Sequence, residues 1–125
     1  MTVLFRVELY VKDIEESLTF YQNIIGLQLF GRNERSGRFN YDCFSLLVTS
    51  VSVLDEKHYF SRNTEVNMKG KGVEFIIVVD ELERVYERCC KYNYPIEVEV
   101  EQYPWEMRGF KIIDPDGYFL RITSK

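Results

Sequence analysis

Apolar and polar residues alternate in two stretches of the chain, one at its start and one past its middle. In residues 3–11, VLFRVELYV, the apolar side chains share one face, and Arg6, Glu8 and Tyr10 share the other. Residues 72–80, GVEFIIVVD, repeat this alternation, with Glu74 on the face opposite Phe75. Alternation with a period of two is typical of a strand that packs on one side, so each stretch is predicted to be such a strand.

A helix is predicted after each of these strands. Asp13 with Glu16, and Asp80 with Glu83, have the three-residue spacing of a capping box. Apolar residues then recur at helical spacing over 14–25 and 82–89. Gly26 is placed to end the first helix in the left-handed conformation.

Three further strands are predicted in each half. They are LQLFGRN, RFNYDCF and VTSVSVL in the first half, and IEVEVEQY, RGFKII and YFLRIT in the second. The residues Asp114-Pro115-Asp116-Gly117 predict a turn before the last strand. Both halves therefore have the order βαβββ, and an offset of 68 residues superposes Val7 on Phe75. The chain is predicted to be one α+β domain over residues 1–125, with module one at about 1–56, a polar linker at about 57–70 and module two at about 71–125.

Charge, hydropathy and the first residues of the chain indicate which partners and which location to expect. The net charge is −4 and the sequence pI is near 5.1, whereas phosphate backbones require a basic surface, so we expect no nucleic-acid partner. No apolar run is long enough to span a bilayer, and we expect no membrane partner. The first residues lack a basic leader and a cleavage site, so we expect a cytoplasmic protein.

Reactive side chains are few and scattered. Cys43, Cys89 and Cys90 do not make a disulfide framework, and Cys89 is expected in a helix core. His58 is the single histidine and lies in the linker. No serine or cysteine therefore has a histidine base in view, which argues against a hydrolase that uses either as its nucleophile.

Two runs carry a family resemblance. The βαβββ–βαβββ order, VELYVKDIEESLTFYQNIIGLQL near the start and PWEMRGFKIIDPDGYFLRI near the end resemble the vicinal oxygen chelate superfamily, which includes glyoxalase I, extradiol dioxygenases, and fosfomycin and bleomycin resistance proteins. The last run is most similar to the bleomycin-resistance branch. The resemblance implies sheets that curl into a cup with helices on the outer face, a small-molecule ligand inside, and a homodimer.

The resemblance also implies where a metal would bind. Metal-using members place His, Glu or Gln on the cup-facing side of the first and last strands of each module. Carried onto this chain residue by residue, these positions are Arg6, Val53, Glu74 and Arg121. A guanidinium stays protonated and has no lone pair to donate, so we expect no metal and no cofactor.

Arg6, Glu74 and Arg121 are expected to face one another, with a formal charge of +1. One interpretation is a structural Arg–Glu–Arg cluster, whose desolvation cost offsets its attraction. The other is that the unmatched positive charge binds a carboxylate, phosphate or enolate of a ligand. The sequence leaves both open.

Aromatic residues extend this candidate site. Tyr10 shares the cup face with Arg6, and Trp105 follows Pro104 at the approach to a strand. Rings with a polar handle suit a flat, partly polar ligand, although packing at a module or dimer boundary explains Trp105 equally well.

The function predicted from the sequence is metal-independent binding of a small aromatic or anionic molecule. Such a protein acts by sequestration, as in antibiotic resistance, through Arg6, Tyr10, Glu74, Trp105 and Arg121, and it needs no catalytic residue. One alternative is a metal-dependent lyase or isomerase resembling glyoxalase I. Another is an interaction module whose cup is filled by its own side chains. Whether the chain is an enzyme stays open.

Overall fold

The computed structural model describes residues 3–62 and 69–125. The chain forms two compact units, Met1–Asn67 and Met68–Lys125. Each unit contains one four-stranded mixed sheet with the order βαβββ, which confirms the predicted α+β class. The closing of the sheets into a cup stays a prediction. Among the residues described, no helix has the length and apolar character needed to cross a bilayer.

Module one has the strand order β1-β4-β3-β2, with β1 parallel to β4 and the other neighbours antiparallel. Its strands are β1, Phe5–Val11; β2, Gly31–Arg32; β3, Ser36–Tyr41; and β4, Phe44–Ser50. Its helices are α1, Ile14–Thr19, which continues as a π-helical segment, Phe20–Ile25, and the short α2, Tyr59–Arg62.

The first helix begins and ends as its sequence predicts. The side chain of Asp13 accepts a hydrogen bond from the backbone N–H of Glu16 at 3.1 Å, and Gly26 ends the π-helical segment at φ 92°. The helix packs on the sheet through rings such as Tyr21 and Phe39, whose centroids lie 6.2 Å apart. The core of module one therefore lies between α1 and the sheet, and its buried apolar residues are Leu9, Val11, Leu18, Phe20, Tyr21, Ile24, Ile25, Phe39, Leu46 and Val48.

Module two repeats the topology as β5-β8-β7-β6, with β5 parallel to β8. Its strands are β5, Glu74–Val78; β6, Val98–Gln102; β7, Arg108–Ile113; and β8, Phe119–Thr123. The helix α3, Leu82–Lys91, packs on the sheet, with Tyr86 edge-on to Phe110 at 5.4 Å between centroids. The buried apolar residues are Leu82, Val85, Cys89, Phe110, Ile112, Leu120 and Ile122.

Three predicted strands of module one are wrong in extent. RFNYDCF is not one strand, because it crosses the turn at Asp42 and Cys43 that separates β3 from β4. LQLFGRN joins the sheet only at Gly31–Arg32, because the N–H of Leu27 is already used in the helix end, where it donates to the carbonyl of Tyr21 at 2.9 Å. VTSVSVL is a strand only to Ser50, whose side chain accepts from the N–H of Ser52 and opens a 3₁₀ turn, Val51–Val53. Serine side chains compete with strand pairing in this way.

The predicted cap of the second helix is also wrong. Glu81 occupies the N-cap position of α3 and makes no side-chain capping hydrogen bond. Asp80 instead forms an ion pair with Lys125 at 2.6 Å. The carboxylate of Asp80 is thus paired with Lys125 and does not cap α3.

The turn between β7 and β8 forms as its residues predict. Asp114 is buried, and its Oδ1 accepts hydrogen bonds from the N–H groups of Asp116 and Tyr118 at 2.9 and 2.8 Å. Gly117 has φ 99°, which a side-chain-bearing residue adopts only with strain. This turn sets the register that places Lys111 opposite Arg121.

Candidate functional site

Each sheet has a second face, opposite its helix. In module two this face carries alternate residues of three neighbouring strands, and we call it the open face of module two. Ile76 and Val78 on this face are both 51% exposed, whereas Ile122 on the helix side is fully buried. Its residues are Glu74, Ile76 and Val78 of β5; Phe119, Arg121 and Thr123 of β8; and Gly109, Lys111 and Ile113 of β7.

Arg121 and Glu74 meet on this open face. The Nε of Arg121 lies 2.9 Å from Oε1 of Glu74, and both side chains are about one third exposed, at 31% and 37%. The Nε is nevertheless without a hydrogen-bond partner, because its N–H is not directed at the carboxylate. We therefore describe the contact as an ion pair without a hydrogen bond. The guanidinium carbon also lies 5.7 Å from the ring centroid of Tyr103, within cation–π range.

The predicted position of Val53 is wrong. Val53 lies in the 3₁₀ turn beyond β4 and not on the strand. The offset of 68 residues makes Glu8 of β1 equivalent to Ile76 of β5. Leu47 is the strand partner of Glu8, and Arg121 is the strand partner of Ile76. Leu47 is therefore the residue of module one that corresponds to Arg121. The offset between these two residues is 74 and not 68, because the separation from Ile76 to Arg121 is six residues longer than the separation from Glu8 to Leu47. Leu47, like Val53, has no atom that binds a metal.

Arg6 lies on the face of the module one sheet opposite α1, beside Ser45. The same face holds Glu8, whose carboxylate accepts a hydrogen bond from the hydroxyl of Thr49 at 2.7 Å. Sequence reasoning missed Glu8 as a site residue, although the alternation of β1 places it on the same face as Arg6 and Tyr10. The contribution of Arg6 to a cluster with Glu74 and Arg121 stays a prediction.

Tyr10 belongs to a small group of rings within module one. The centroids of Tyr10, His58 and Phe60 lie 5.1 to 5.9 Å apart. Burial, with a hydrogen bond to Glu8, raises the pKa of Tyr10. The backbone N–H of Phe60 donates to Nδ1 of His58 at 3.1 Å, which fixes the orientation of the imidazole. No sequence pattern pointed to this group, because Tyr10 comes from β1, His58 from the irregular segment before α2 and Phe60 from α2 itself.

Nearly the whole chain matches a known protein family. Residues 3–122 match the model of a protein family described as the Glyoxalase/Bleomycin resistance protein/Dioxygenase superfamily. The chain belongs to this superfamily. That match confirms the resemblance inferred from the two sequence runs, but it does not single out the bleomycin-resistance branch. No match was found among curated proteins.

Solved structures of the superfamily share the fold. A lactoylglutathione lyase from Agrobacterium tumefaciens is 18% identical, with a TM-score of 0.69, over 99% of this chain and 94% of that protein. A glyoxalase-related enzyme from Fulvimarina pelagi is also 18% identical, with a TM-score of 0.76, over 100% and 89%. A glyoxalase/bleomycin resistance protein/dioxygenase from Nocardioides is 20% identical, with a TM-score of 0.72, over 99% and 83%. At these identities the likeness concerns the fold alone.

The superfamily's metal chemistry needs a group of suitable ligands. Within residues 3–62 and 69–125, no three His, Cys, Asp or Glu side chains are grouped so that they could hold a metal ion. His58, the single histidine, is committed through Nδ1 to the backbone of Phe60. The described residues therefore do not fit the ion that metal-using members of the superfamily carry.

Trp105 lies in a 3₁₀ turn, Pro104–Glu106, that connects β6 to β7. Its role in ligand binding stays a prediction. The neighbouring Tyr103 is the ring that contacts Arg121, and sequence reasoning did not single it out. Tyr103 directly follows β6 in the sequence, and this position is the signal that could have identified it. Its N–H donates to the carbonyl of Met107 at 2.6 Å, just before β7, so the loop folds back toward the sheet.

The three cysteines divide by exposure, and this gives a first prediction. Cys89 is buried, as expected, and burial raises the pKa of its thiol to about 11, whereas Cys43 and Cys90 are exposed. Because the thiolate is the reactive form, we expect iodoacetamide at pH 8 to modify two thiols per chain, with Cys89 on the order of 100-fold slower. Intact-mass spectrometry over time measures this. Cys43→Ser with Cys90→Ser should abolish the fast modification, and fast labelling of that variant would contradict the structure.

Proposed function

We propose that this member of the superfamily binds a small, flat, aromatic or anionic molecule without a metal ion and acts by sequestration, in the manner of a bleomycin resistance protein. The proposal needs no catalytic residue. It includes a homodimer, as the family resemblance implies, and a cytoplasmic location, as the first residues of the sequence predict. The ligand-binding residues in this proposal are Arg6, Tyr10, Glu74, Trp105 and Arg121.

The observation that carries the proposal is the Arg121–Glu74 ion pair. By resemblance, both residues occupy positions where metal-using relatives hold their ion. Arg121 is always protonated and cannot bind a cation. Its positive charge also compensates the carboxylate of Glu74, which could otherwise bind a metal ion. A divalent ion at Glu74 would have to break this pair and would then lie beside a fixed positive charge. An anionic ligand, in contrast, is attracted by the guanidinium of Arg121.

Exposed rings in module one support an aromatic ligand. Tyr59 is 66% exposed and Phe60 is 55% exposed, and the Phe60 ring contacts both Tyr10 and Tyr59. Rings held at their edges by other rings present a preformed surface on which a flat molecule can stack. Such a surface loses little conformational freedom on binding.

A thermal-shift screen tests the proposal. The protein is first dialysed against EDTA and then heated with aromatic carboxylic acids, their neutral amides and a set of glycopeptides. We expect at least one aromatic ligand to raise the melting temperature, because a ligand at 100 times its Kd adds about 2.7 kcal/mol to the folded state. That corresponds to a shift on the order of 10 °C for a chain of this size.

The site is tested with two arginine variants. We expect Arg121→Gln to weaken an acidic ligand found in the screen by about 10- to 100-fold in isothermal titration calorimetry, because a hydrogen bond to a charged group is lost. Arg108→Gln is the matched control: Arg108 is on the neighbouring strand but pairs with Glu83 of α3, on the other side of the sheet. It should leave the Kd unchanged.

Two results would overturn the proposal. A stoichiometric metal ion retained through dialysis, together with metal-dependent turnover of a hemithioacetal, would favour the glyoxalase-like lyase or isomerase. A screen without any ligand would favour an interaction module whose cup is filled.

A further inference from the structure

Three buried polar atoms of module two have no hydrogen-bond partner within the described residues. They are the hydroxyl of Tyr103, the Nε of Arg121 and the Oγ1 of Thr123, and Thr123 is only 2% exposed. A buried donor without a partner costs folding free energy, so native proteins contain few of them. The Nε of Arg121 lies in the ion pair with Glu74, so the hydroxyls of Tyr103 and Thr123 are the two polar groups of this set that could still accept a partner.

The residues that carry these atoms lie in one patch. Arg121 and Thr123 alternate on β8 and so share the open face of module two. Gly109 is the strand partner of Thr123, and a Cβ on this glycine would lie 2.8 Å from Cε2 of Tyr103 and 3.0 Å from Cγ2 of Thr123. The Tyr103 ring therefore covers Gly109 beside Thr123, and the same ring lies 5.7 Å from the guanidinium carbon of Arg121.

The charge of this patch is not balanced. Lys111 is the direct strand partner of Arg121, and like charges placed opposite each other destabilise a sheet. Glu74 compensates only one of the two, and no salt bridge within residues 3–62 and 69–125 includes Lys111. Its ammonium lies 5.9 Å from the Phe119 ring centroid instead. Lys111, Arg121 and Glu74 thus sum to a formal charge of +1, and Glu101, the strand partner of Gly109, shares the same face.

We propose that the patch formed by Tyr103, Lys111, Arg121 and Thr123 binds the carboxylate of an organic acid. This inference rests on the proposed function and specifies the chemical class of its ligand. The hydroxyls of Tyr103 and Thr123 donate hydrogen bonds to the carboxylate oxygens, and Lys111 with Arg121 provides the attraction. Both hydroxyls are buried in the free chain, so binding includes a local side-chain movement.

The charge favours a carboxylate over a phosphate monoester. A single carboxylate balances the +1 of Lys111, Arg121 and Glu74, whereas a phosphate monoester carries about −1.5 to −2 at neutral pH and leaves an excess negative charge on a face that also holds Glu74 and Glu101. The two ligand classes share donor chemistry, so matched compounds have to separate them. Benzoate, phenyl phosphate and benzamide have the same ring and differ in their charged or neutral group.

The experiment measures binding of these three compounds to the full chain by titration calorimetry. We expect benzoate to bind, phenyl phosphate to bind more weakly, and benzamide to show no binding. Raising the salt concentration should lower the affinity for benzoate, because salt screens the attraction between charges. Lys111→Met should reduce both this affinity and its dependence on salt.

Hydroxyl-deletion variants separate ligand binding from a structural role. Tyr103→Phe and Thr123→Val should each raise the Kd for benzoate by about 10-fold or more, since each removes a hydrogen bond to a charged group. Without ligand, both variants should melt no lower than the unsubstituted protein, because each removes an unpaired buried polar atom. Tyr86→Phe is the matched control: its hydroxyl bonds Glu99 on the helix side of the sheet, and it should not change benzoate binding.

Each unfavourable result has a defined meaning. Equal benzoate binding by the hydroxyl variants, or a lower melting temperature for both without ligand, overturns the carboxylate site. If neither acid binds but a neutral aromatic compound does, the carboxylate site fails and the proposed function stands. If none of the three compounds binds, the carboxylate site fails, and if the thermal-shift screen also finds no ligand, the proposed function fails with it.

Discussion

Phe110→Ala is expected to lower the free energy of unfolding by about 3–5 kcal/mol, which is a large part of the stability of an ordinary domain. Phe110 is fully buried on the helix side of β7, and Tyr86 meets its ring edge-on with planes at 87°. Truncation leaves a cavity between α3 and the sheet and removes this ring contact. Urea denaturation followed by circular dichroism measures the loss.

Ile113→Ala on the same strand is the control. Ile113 lies on the open face of module two and is 38% exposed, so its truncation leaves no closed cavity. We expect a change of about 1 kcal/mol or less. Similar losses for both variants would contradict the assignment of one face of β7 to the core and the other to the site.

Gly109→Ala is expected to destabilise the protein by about 1–3 kcal/mol and to weaken anion binding together with it. The added Cβ would lie 2.6 Å from the carbonyl oxygen of Ile122 and 2.8 Å from the Tyr103 ring. The first of these atoms belongs to the backbone and cannot rotate away. Either the strands separate or Tyr103 leaves its place beside Arg121.

Gly31→Ala supplies the comparison. Gly31 also lies in a strand, yet a Cβ there has no heavy atom within 4 Å. Because alanine has fewer unfolded conformations than glycine, we expect this change to be neutral or slightly stabilising, within about 1 kcal/mol. Equal melting temperatures for the two variants would show that β7 and β8 are less tightly packed than the structure indicates.

The fold was largely predictable from local patterns. Strand alternation, the Asp13 cap, Gly26 and the Asp114–Gly117 turn each act over a few residues, and each forms as predicted. The module repeat then followed from matching these elements in order. The family match over residues 3–122 agrees with that reasoning.

The failures have a common physical cause. The ends of β2 and β4 depend on backbone groups that are used elsewhere, by Tyr21 in one case and by the Ser50 side chain in the other. Asp80 was expected to cap a helix but pairs with Lys125, a residue distant in sequence. Such competition between local and distant partners is decided by the tertiary structure.

The candidate site was predictable only in part. The pairing of Glu74 with Arg121 followed from strand alternation, since both residues lie on one face. Tyr103 and Lys111 were missed, because their roles depend on the register of β7 against β8 and on a loop that returns to the sheet. Val53 was misplaced because the offset of 68 residues, which relates the first strands of the two modules, was also applied to their last strands. The modules differ in length between these strands, so the offset there is 74.

The correspondence of Leu47 with Arg121 has an evolutionary consequence. Two copies of one architecture have diverged at equivalent places, so that one copy has an aliphatic residue where the other has a permanent cation. A substitution at Leu47 therefore changes the chemistry of the first copy alone. It leaves the ion pair between Arg121 and Glu74 in the second copy intact.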